Sequence, residues 1–279
     1  MKDEVRVALG TPNNSIAVMG ILNVTPDSFS DGGQFRALDA ALSRAEQMLG
    51  EGATWIDVGG ESTRPGAEDV TVSEELDRVV PVIAALKQRF DVNVSVDTSK
   101  AAVMSAAVAA GADMINDVRA LREPGALAAA AATSADVCLM HMAGQPRTMQ
   151  AAPSYENVVS DVKMFLQQRM QACLDAGIAA NRLWLDPGFG FGKTVEHNYQ
   201  LLANLNQFHS LGAPLLIGVS RKSMLGAATG RETNERLAAS ISAATIAMLH
   251  GGQIIRVHDV AATVDAMKVV QATRAGEFN

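Results

Sequence analysis

Short apolar runs that end in polar residues recur along the chain. They fall at Val18–Val24, Trp55–Gly59, Val92–Thr98, Met114–Val118, Val137–Met142, Leu183–Pro187, Leu215–Ser220 and Ile254–His258, and they predict eight strands. Each run is apolar on both faces, as a parallel strand covered by helices should be. Helical spacing lies between the runs. Leu38, Ala41, Leu42, Ala45, Met48 and Leu49 make one helix face, which Gly50 and Gly52 can stop. Leu76, Val79, Val80 and Ile83 make a second, with Ser73 placed to cap its start and Pro81 placed to kink it. Val158, Val162, Phe165, Leu166 and Cys173 form a third that ends at Gly177. Leu237, Ile241, Ala244, Met248 and Leu249 run to Gly251 and Gly252, and Val264, Met267 and Val270 belong to a last helix.

This alternation in 279 residues is the length and rhythm of a single-domain α/β (βα)8 TIM barrel over 1–279. About the first 15 residues fit neither pattern and are expected to be an N-terminal tail or a cap on the barrel bottom. A doubly wound open sheet is the competing architecture; the opening lacks its Gly-rich dinucleotide turn, and the count is eight. The composition is ordinary for a globular chain, with 48% hydrophobic and 19% charged residues. With 23 Lys+Arg against 30 Asp+Glu, the net charge of −7 argues against a nucleic-acid or anionic-membrane binder, and 4% aromatics leaves few rings to stack bases. Cys138 and Cys173 form no CxxC pair, and Cys138 reads as a small buried hydrophobe. No stretch reads as a signal peptide or a membrane span, so the expected location is the cytoplasm.

In a barrel the chemistry sits at the C-terminal ends of the strands. Those ends carry Asn23, Asp57 with Glu61 just beyond, Asp97, Asn116 with Asp117, His141, Asp186, the group Ser220-Arg221-Lys222, and Arg256 with His258. Carboxylates accept only, whereas amides both accept and donate, so this set suits a ligand rich in N–H donors. Lys222, Arg256 and His258 follow the seventh and eighth strands, a common phosphate position in barrels. The site thus reads as bipartite, with a donor-rich heterocycle on one side and an anion on the other. Gly188–Thr194 imitates a phosphate loop, but Pro187 stands where the Walker pattern needs glycine, and the Rossmann spacing fails at Lys193. Ser220 and His258 imitate a hydrolase pair without the GxSxG elbow.

The strand-end segments resemble the motifs of bacterial dihydropteroate synthases. The first, Met19-Gly20-Ile21-Leu22-Asn23-Val24-Thr25-Pro26-Asp27-Ser28-Phe29-Ser30-Asp31-Gly32-Gly33, and the second, Asp57-Val58-Gly59-Gly60-Glu61-Ser62-Thr63-Arg64-Pro65-Gly66, are the most specific, together with Asp186-Pro187-Gly188-Phe189-Gly190-Phe191-Gly192-Lys193 and Ser220-Arg221-Lys222-Ser223. Ser95-Val96-Asp97-Thr98, Asn116-Asp117-Val118, Leu139-Met140-His141-Met142 and Ile255-Arg256-Val257-His258-Asp259 complete the set. The resemblance implies condensation of 6-hydroxymethyl-7,8-dihydropterin diphosphate with p-aminobenzoate to 7,8-dihydropteroate and diphosphate, with Mg²⁺, as a step of folate synthesis that sulfonamides inhibit. It also implies a homodimer, through the last helices.

Carried onto this chain, the resemblance puts Asp97, Asn116, Val118, Met140, Asp186, Gly190 and Lys222 around the pterin. Asp186 would accept a bidentate pair of N–H bonds and Met140 and Val118 would supply apolar walls. The diphosphate would meet Asn23, Thr63, Arg64, Arg256 and His258, with Asn23 as the protein ligand of Mg²⁺. Phe29, Thr63, Pro65, Phe191, Ser220, Lys222 and Ser223 would hold p-aminobenzoate, its carboxylate near the start of the helix at Ser223. Catalysis would fall to Asp97, Asp186, Lys222, Arg256 and His258. Simpler roles compete for several of these. Asp97 and Asp186 could cap a loop, Arg256 could be an ion pair of the barrel, and Asp57 either bonds the ligand or organises its neighbours. His141 has no assigned role. Thr25–Gly33 and Ser62–Ala67 have the composition of mobile surface loops, expected to close over the diphosphate with Arg64 and Asp31 in contact. Two other functions share the barrel: a pterin-binding methyltransferase serving a corrinoid partner, and a non-catalytic paralogue.

Overall fold

The computed structural model describes residues 16–25, 33–62, 69–144 and 153–276. Its strands are β1 (Ala17–Asn23), β2 (Trp55–Gly59), β3 (Asn93–Asp97), β4 (Met114–Asp117), β5 (Asp136–Met140), β6 (Leu183–Asp186), β7 (Leu216–Ile217) and β8 (Ile254–Val257). All pair in parallel in the order β6-β5-β4-β3-β2-β1-β8-β7. A parallel bridge between Leu185 and Leu215 links β6 to β7 and closes the ring. The (βα)8 barrel expected from the alternation is the fold, and the open sheet is excluded by this closure.

The helices are α1 (Gly33–Gly50), α2 (Val72–Arg89), α3 (Ala101–Ala109), α4 (Ala126–Ala131), α5 (Val158–Asp175), α6 (Val195–Ala203), α7 (Ser223–Thr229), α8 (Leu237–Leu249) and α9 (Val260–Ala275). They cover the outward strand residues. Ile56, Val58, Val94, Val96, Ile115, Val137, Leu139 and Leu185 pack with helix residues such as Ala41, Met48, Ile83, Leu86 and Met104 in the main core.

Two local expectations change, the cap of α2 and the length of β7. Helix α2 is capped by Thr71, not Ser73: Thr71 accepts the Glu74 N–H while the Glu74 carboxylate accepts the Thr71 N–H. That reciprocal box satisfies donors at both ends of the turn, so it wins over a lone serine inside the helix. Helix α2 runs through Pro81 to Arg89. The proline faces solvent while Val79, Val82, Ile83 and Leu86 keep the other face buried. The seventh strand is only Leu216–Ile217, shorter than the apolar run from Leu215 to Ser220, because the chain turns back at Val219, whose carbonyl accepts the Lys222 N–H. The tail of residues 1–15 lies outside the described residues.

Candidate active site

The inward faces of the strands build the site. Side chains alternate along a strand, so every second residue enters the barrel. Met19, Trp55, Met114, Cys138, Trp184, Leu216 and Ile254 form an apolar plug in the lower barrel. One step higher on the same face stand Asp57 after Trp55, Asn116 after Met114, Met140 after Cys138, Asp186 after Trp184, and Arg256 after Ile254. Asp97, aligned with Gly59 and Asn116 on the neighbouring strands, joins them. The plug excludes water from below, and the polar ring opens at the strand ends.

Arg256 sits at the centre of that ring. Its Nε donates to Asp57 Oδ2 at 2.6 Å and its Nη2 to Asp97 Oδ2 at 2.8 Å. Asn116 Nδ2 also donates to Asp57 Oδ2, at 3.3 Å. Asp57 is fully buried, and among the described residues its Oδ1 has no hydrogen-bond partner. Through Oδ2 it organises its neighbours. Burial pushes the Asp97 carboxyl up to about 7 against the pull of Arg256, and the charges of Asp57, Asp117 and Glu75 add to the rise. Two bonds use only part of the guanidinium donor set, so the ion pair of the barrel is present without excluding a contact to an anion above.

Asp186 faces this cluster from β6. Its Oδ1 accepts the Gly188 N–H at 2.7 Å. Burial raises its pKa, opposed by that bond and by the charges of Lys222, Lys193 and Arg256. Lys222 caps α7 and lays its ammonium 4.2 Å from the centre of the Phe191 ring, a cation–π contact. Burial lowers Lys222 to about 8, with Asp186 resisting. A Cβ on Gly190 would come within 3.1 Å of the Lys222 stem, which is why glycine suits that turn, at φ +81°. Val118, Met140 and Met142 cluster with Phe191 beside it as an apolar wall.

On the anion side, Ser220 and His258 are joined. The Ser220 hydroxyl accepts the His258 backbone N–H at 3.3 Å and lies 3.0 Å from His258 Nδ1. Either the hydroxyl donates to Nδ1 or a protonated Nδ1 donates to the hydroxyl, and both arrangements fix the ring. Ser220 thus orients His258, a contact that the sequence did not predict. Arg221, in the left-handed region at φ +58°, grips Asp259 with Nε at 3.0 Å and Nη2 at 2.5 Å and fixes the loops after β7 and β8 together. Ser223 is exposed at the start of α7. Asn23 is exposed at the end of β1, its Oδ1 and the Asp97 carboxylate flanking Gly59. Phe29, Asp31, Thr63, Arg64 and Pro65, and with them the proposed loop closure, lie outside the described residues.

Sequence reasoning missed several residues. Asp117 anchors the turn after β4, accepting from Ser99 Oγ at 2.5 Å and from the N–H groups of Arg119 and Leu121 at 2.8 and 2.7 Å. Lys193, quoted only as the end of the sixth strand-end motif and as part of a false phosphate loop, bonds His141 inside the protein. Gly218 is the third. It follows Leu216 on the inward face, and a Cβ there would meet nothing within 4 Å. The seventh strand end is therefore where the ring leaves room, and alternation from Leu216 is the signal that would have found it. Gly218→Val should fill that room. Pterin diphosphate binding by calorimetry is expected to weaken at least about 100-fold with little change in Tm, and unchanged affinity would place the ligand elsewhere.

The Pterin binding enzyme family matches residues 19–258. A dihydropteroate synthase of Haemophilus influenzae is 59% identical over 256 residues, 92% of this chain and 93% of its own. Among solved structures, Yersinia pestis dihydropteroate synthase in a sulfonamide drug complex has 59% identity and a TM-score of 0.89, with 94% of this chain and 95% of that chain covered. Xanthomonas albilineans dihydropteroate synthase with 4-aminobenzoic acid has 52% identity and a TM-score of 0.88, with 94% of each chain covered.

Proposed function

Since the chain belongs to the dihydropteroate synthases of the pterin-binding enzyme family, we propose that its barrel condenses 6-hydroxymethyl-7,8-dihydropterin diphosphate with p-aminobenzoate, giving 7,8-dihydropteroate and diphosphate. The observation that carries this reading is the polar ring above the apolar plug, with Asp57, Asp97, Asn116 and Asp186 on one side and Lys222, Arg256 and His258 on the other. A pterin edge offers an amino group, a ring N–H and a carbonyl, which a carboxylate and amide ring answers. Sulfonamides would compete for the p-aminobenzoate half, beside Phe191 and Lys222.

The bond from the pterin methylene carbon to the diphosphate oxygen breaks and a bond to the aniline nitrogen forms. The electron pair of the broken bond leaves with diphosphate, and the nitrogen loses a proton to solvent. We favour departure of diphosphate first. The dihydropterin ring then carries the positive charge, within the negative field of Asp97 and Asp186. Arg256 and His258 balance the leaving charge, and Lys222 hydrogen-bonds the pterin. No protein nucleophile is required.

We also propose Mg²⁺ as the metal. Among the described residues no group of His, Cys, Asp and Glu could hold an ion by itself. Asn23 offers one neutral oxygen, a donor set that suits Mg²⁺ held otherwise by diphosphate and water. When bound, it would supply charge neutralisation for the diphosphate. Among the described residues no helix is long and apolar enough to cross a membrane. A cytoplasmic homodimer is the proposed state. Leu237, Ile246 and Leu249 of α8 and Val269 of α9, exposed apolar residues on the last two helices, support it.

The deciding assay is diphosphate release from the pterin diphosphate with and without p-aminobenzoate, in Mg²⁺ and then in chelator. Dihydropteroate formed only in the presence of metal supports both reaction and ion. Pterin binding without dihydropteroate under either condition removes the synthase reading. The pH profile gives a sharper test. Asp97 titrates near about 7 and must be ionised to accept from the pterin, so kcat/KM should fall as pH drops through that value. Lys222 titrates near about 8 and must keep its proton, so kcat/KM should fall again above it. Asp97→Asn is expected to cost at least about tenfold in kcat without unfolding the barrel, and to erase the acidic limb. Persistence of that limb in the variant would assign it to another group.

A further inference from the structure

Lys193 lies at the end of the turn after β6, with only 3% of its surface exposed. Its Nζ stands 2.9 Å from His141 Nδ1, 2.8 Å from the Gly188 carbonyl, 3.0 Å from the Phe191 carbonyl and 3.4 Å from the His141 carbonyl. All of these partners are acceptors, and an ammonium has only donors to offer. Burial and the neighbouring charge of Lys193 hold His141 down to about 2, so the imidazole stays neutral and presents a lone pair at Nδ1. Burial and the Lys222 charge also lower Lys193, to about 7, while Asp186 opposes them. A buried lysine is expensive unless every proton is matched. Here the matches come from the turn after β6 and from His141 beyond β5.

That turn needs fastening. Gly188, Gly190 and Gly192 all have positive φ, at +72°, +81° and +62°, a left-handed backbone that hydrogen bonds must hold in place. The Gly190 N–H is held by Asn198 Oδ1 at 2.7 Å, and the Gly192 carbonyl accepts from the Tyr155 hydroxyl at 2.6 Å. Between these, Lys193 grips the carbonyls of Gly188 and Phe191, and the Gly188 carbonyl also accepts the Phe191 N–H at 3.1 Å. The Phe191 ring, partly exposed at the site mouth, lies against Lys222 and the wall of Val118, Met140 and Met142.

We infer that Lys193, with His141 as its acceptor, is a positioning residue for the p-aminobenzoate half of the site, acting through the turn that presents Phe191. This rests on the reaction proposed above. The pterin half depends less on Lys193, because Asp97, Asn116 and Asp186 stand on β3, β4 and β6 themselves, and the turn's own pterin residue, Gly190, is held by Asn198.

Steady-state kinetics of Lys193→Met test it. The KM for p-aminobenzoate is expected to rise about tenfold, while kcat and the dissociation constant of the pterin diphosphate change less than about threefold. Phe191→Ala should raise that KM by a similar factor alone, yet by less than about twofold in the Lys193→Met background. An unchanged KM, or effects that multiply, would overturn the inference, since a general packing role predicts additivity. If Lys193→Met does not fold, His141 decides: His141→Asn keeps an acceptor near the position of Nδ1 and should stay close to wild type, whereas His141→Leu should raise the KM. Equal behaviour of the pair counts against the inference. Hydrogen exchange at the Gly190 amide needs no substrate and is expected to quicken in either disabling variant. A wild-type protein that forms no dihydropteroate would remove the reaction, whereas unchanged Gly190 exchange would remove the clamp.

Discussion

Arg256→Ala is expected to destabilise the protein by about 3–5 kcal/mol at about pH 8.5 and to lower turnover at least about 100-fold. The guanidinium bridges Asp57, which is fully buried, and Asp97, which is nearly so. Without it two carboxylates face each other inside the barrel mouth with no cation between them. The loss of stability should depend on pH. Asp97 already has a folded-state pKa of about 7, above its ordinary value, and losing Arg256 raises it further. The variant then binds a proton on folding more readily than the wild type does. Its deficit is fully present at high pH and shrinks as pH falls through the raised pKa and Asp97 becomes neutral. Urea denaturation at about pH 8.5 and about pH 6 reads this directly. A deficit equal at both values would mean that the arginine stem, and not its charge, supports the barrel.

Gly188→Ala is the second large effect. At φ +72° a side chain is strained by about 1–2 kcal/mol before any contact is considered. A Cβ there would also stand 1.8 Å from the His141 carbonyl oxygen and 3.0 Å from its carbonyl carbon. Both are backbone atoms beyond β5, so no rotamer change relieves the clash. The turn has to be rebuilt, which pulls the Gly188 N–H off Asp186 and the carbonyl off Lys193. Turnover is expected to fall about 100-fold, with a Tm lower by several degrees, about 2–4 °C per kcal/mol lost. Gly50→Ala is the matching control. Nothing lies within 4 Å of its added Cβ, its φ is ordinary, and it ends α1, so it should be neutral or slightly stabilising. If Gly188→Ala behaved like Gly50→Ala, the turn would not be held as tightly as its contacts imply.

The architecture was readable from the chain because its signals are local. Each strand is a short apolar run, each run ends in a polar residue, and helical spacing fills the gaps. The polar ends named most of the ring for the same reason. What stayed hidden depends on partners distant in sequence. Arg256 meets Asp57 across 199 positions, and no periodicity announces that a phosphate-binding candidate is also tied to two carboxylates. Lys193 reaches His141 across 52 positions from a segment that looked like a failed nucleotide loop. The Ser220 hydroxyl meets His258, a neighbour only once β7 and β8 pair. Gly218 carried its signal in the alternation from Leu216, but a missing side chain draws no attention in a search for chemistry.

The ring of strands is not equally strong all round. Seven of its junctions are ladders of two or more paired residues, whereas β6 and β7 meet through one bridge, Leu185 to Leu215, with the Leu185 N–H on the Pro214 carbonyl at 2.9 Å. Asp186 stands on one lip of that seam and Lys222 beyond the other. A partial opening there would separate the two residues while every full ladder stayed intact. Activity is therefore expected to be lost before global structure, so turnover and far-UV circular dichroism followed in one urea titration should show two separate midpoints.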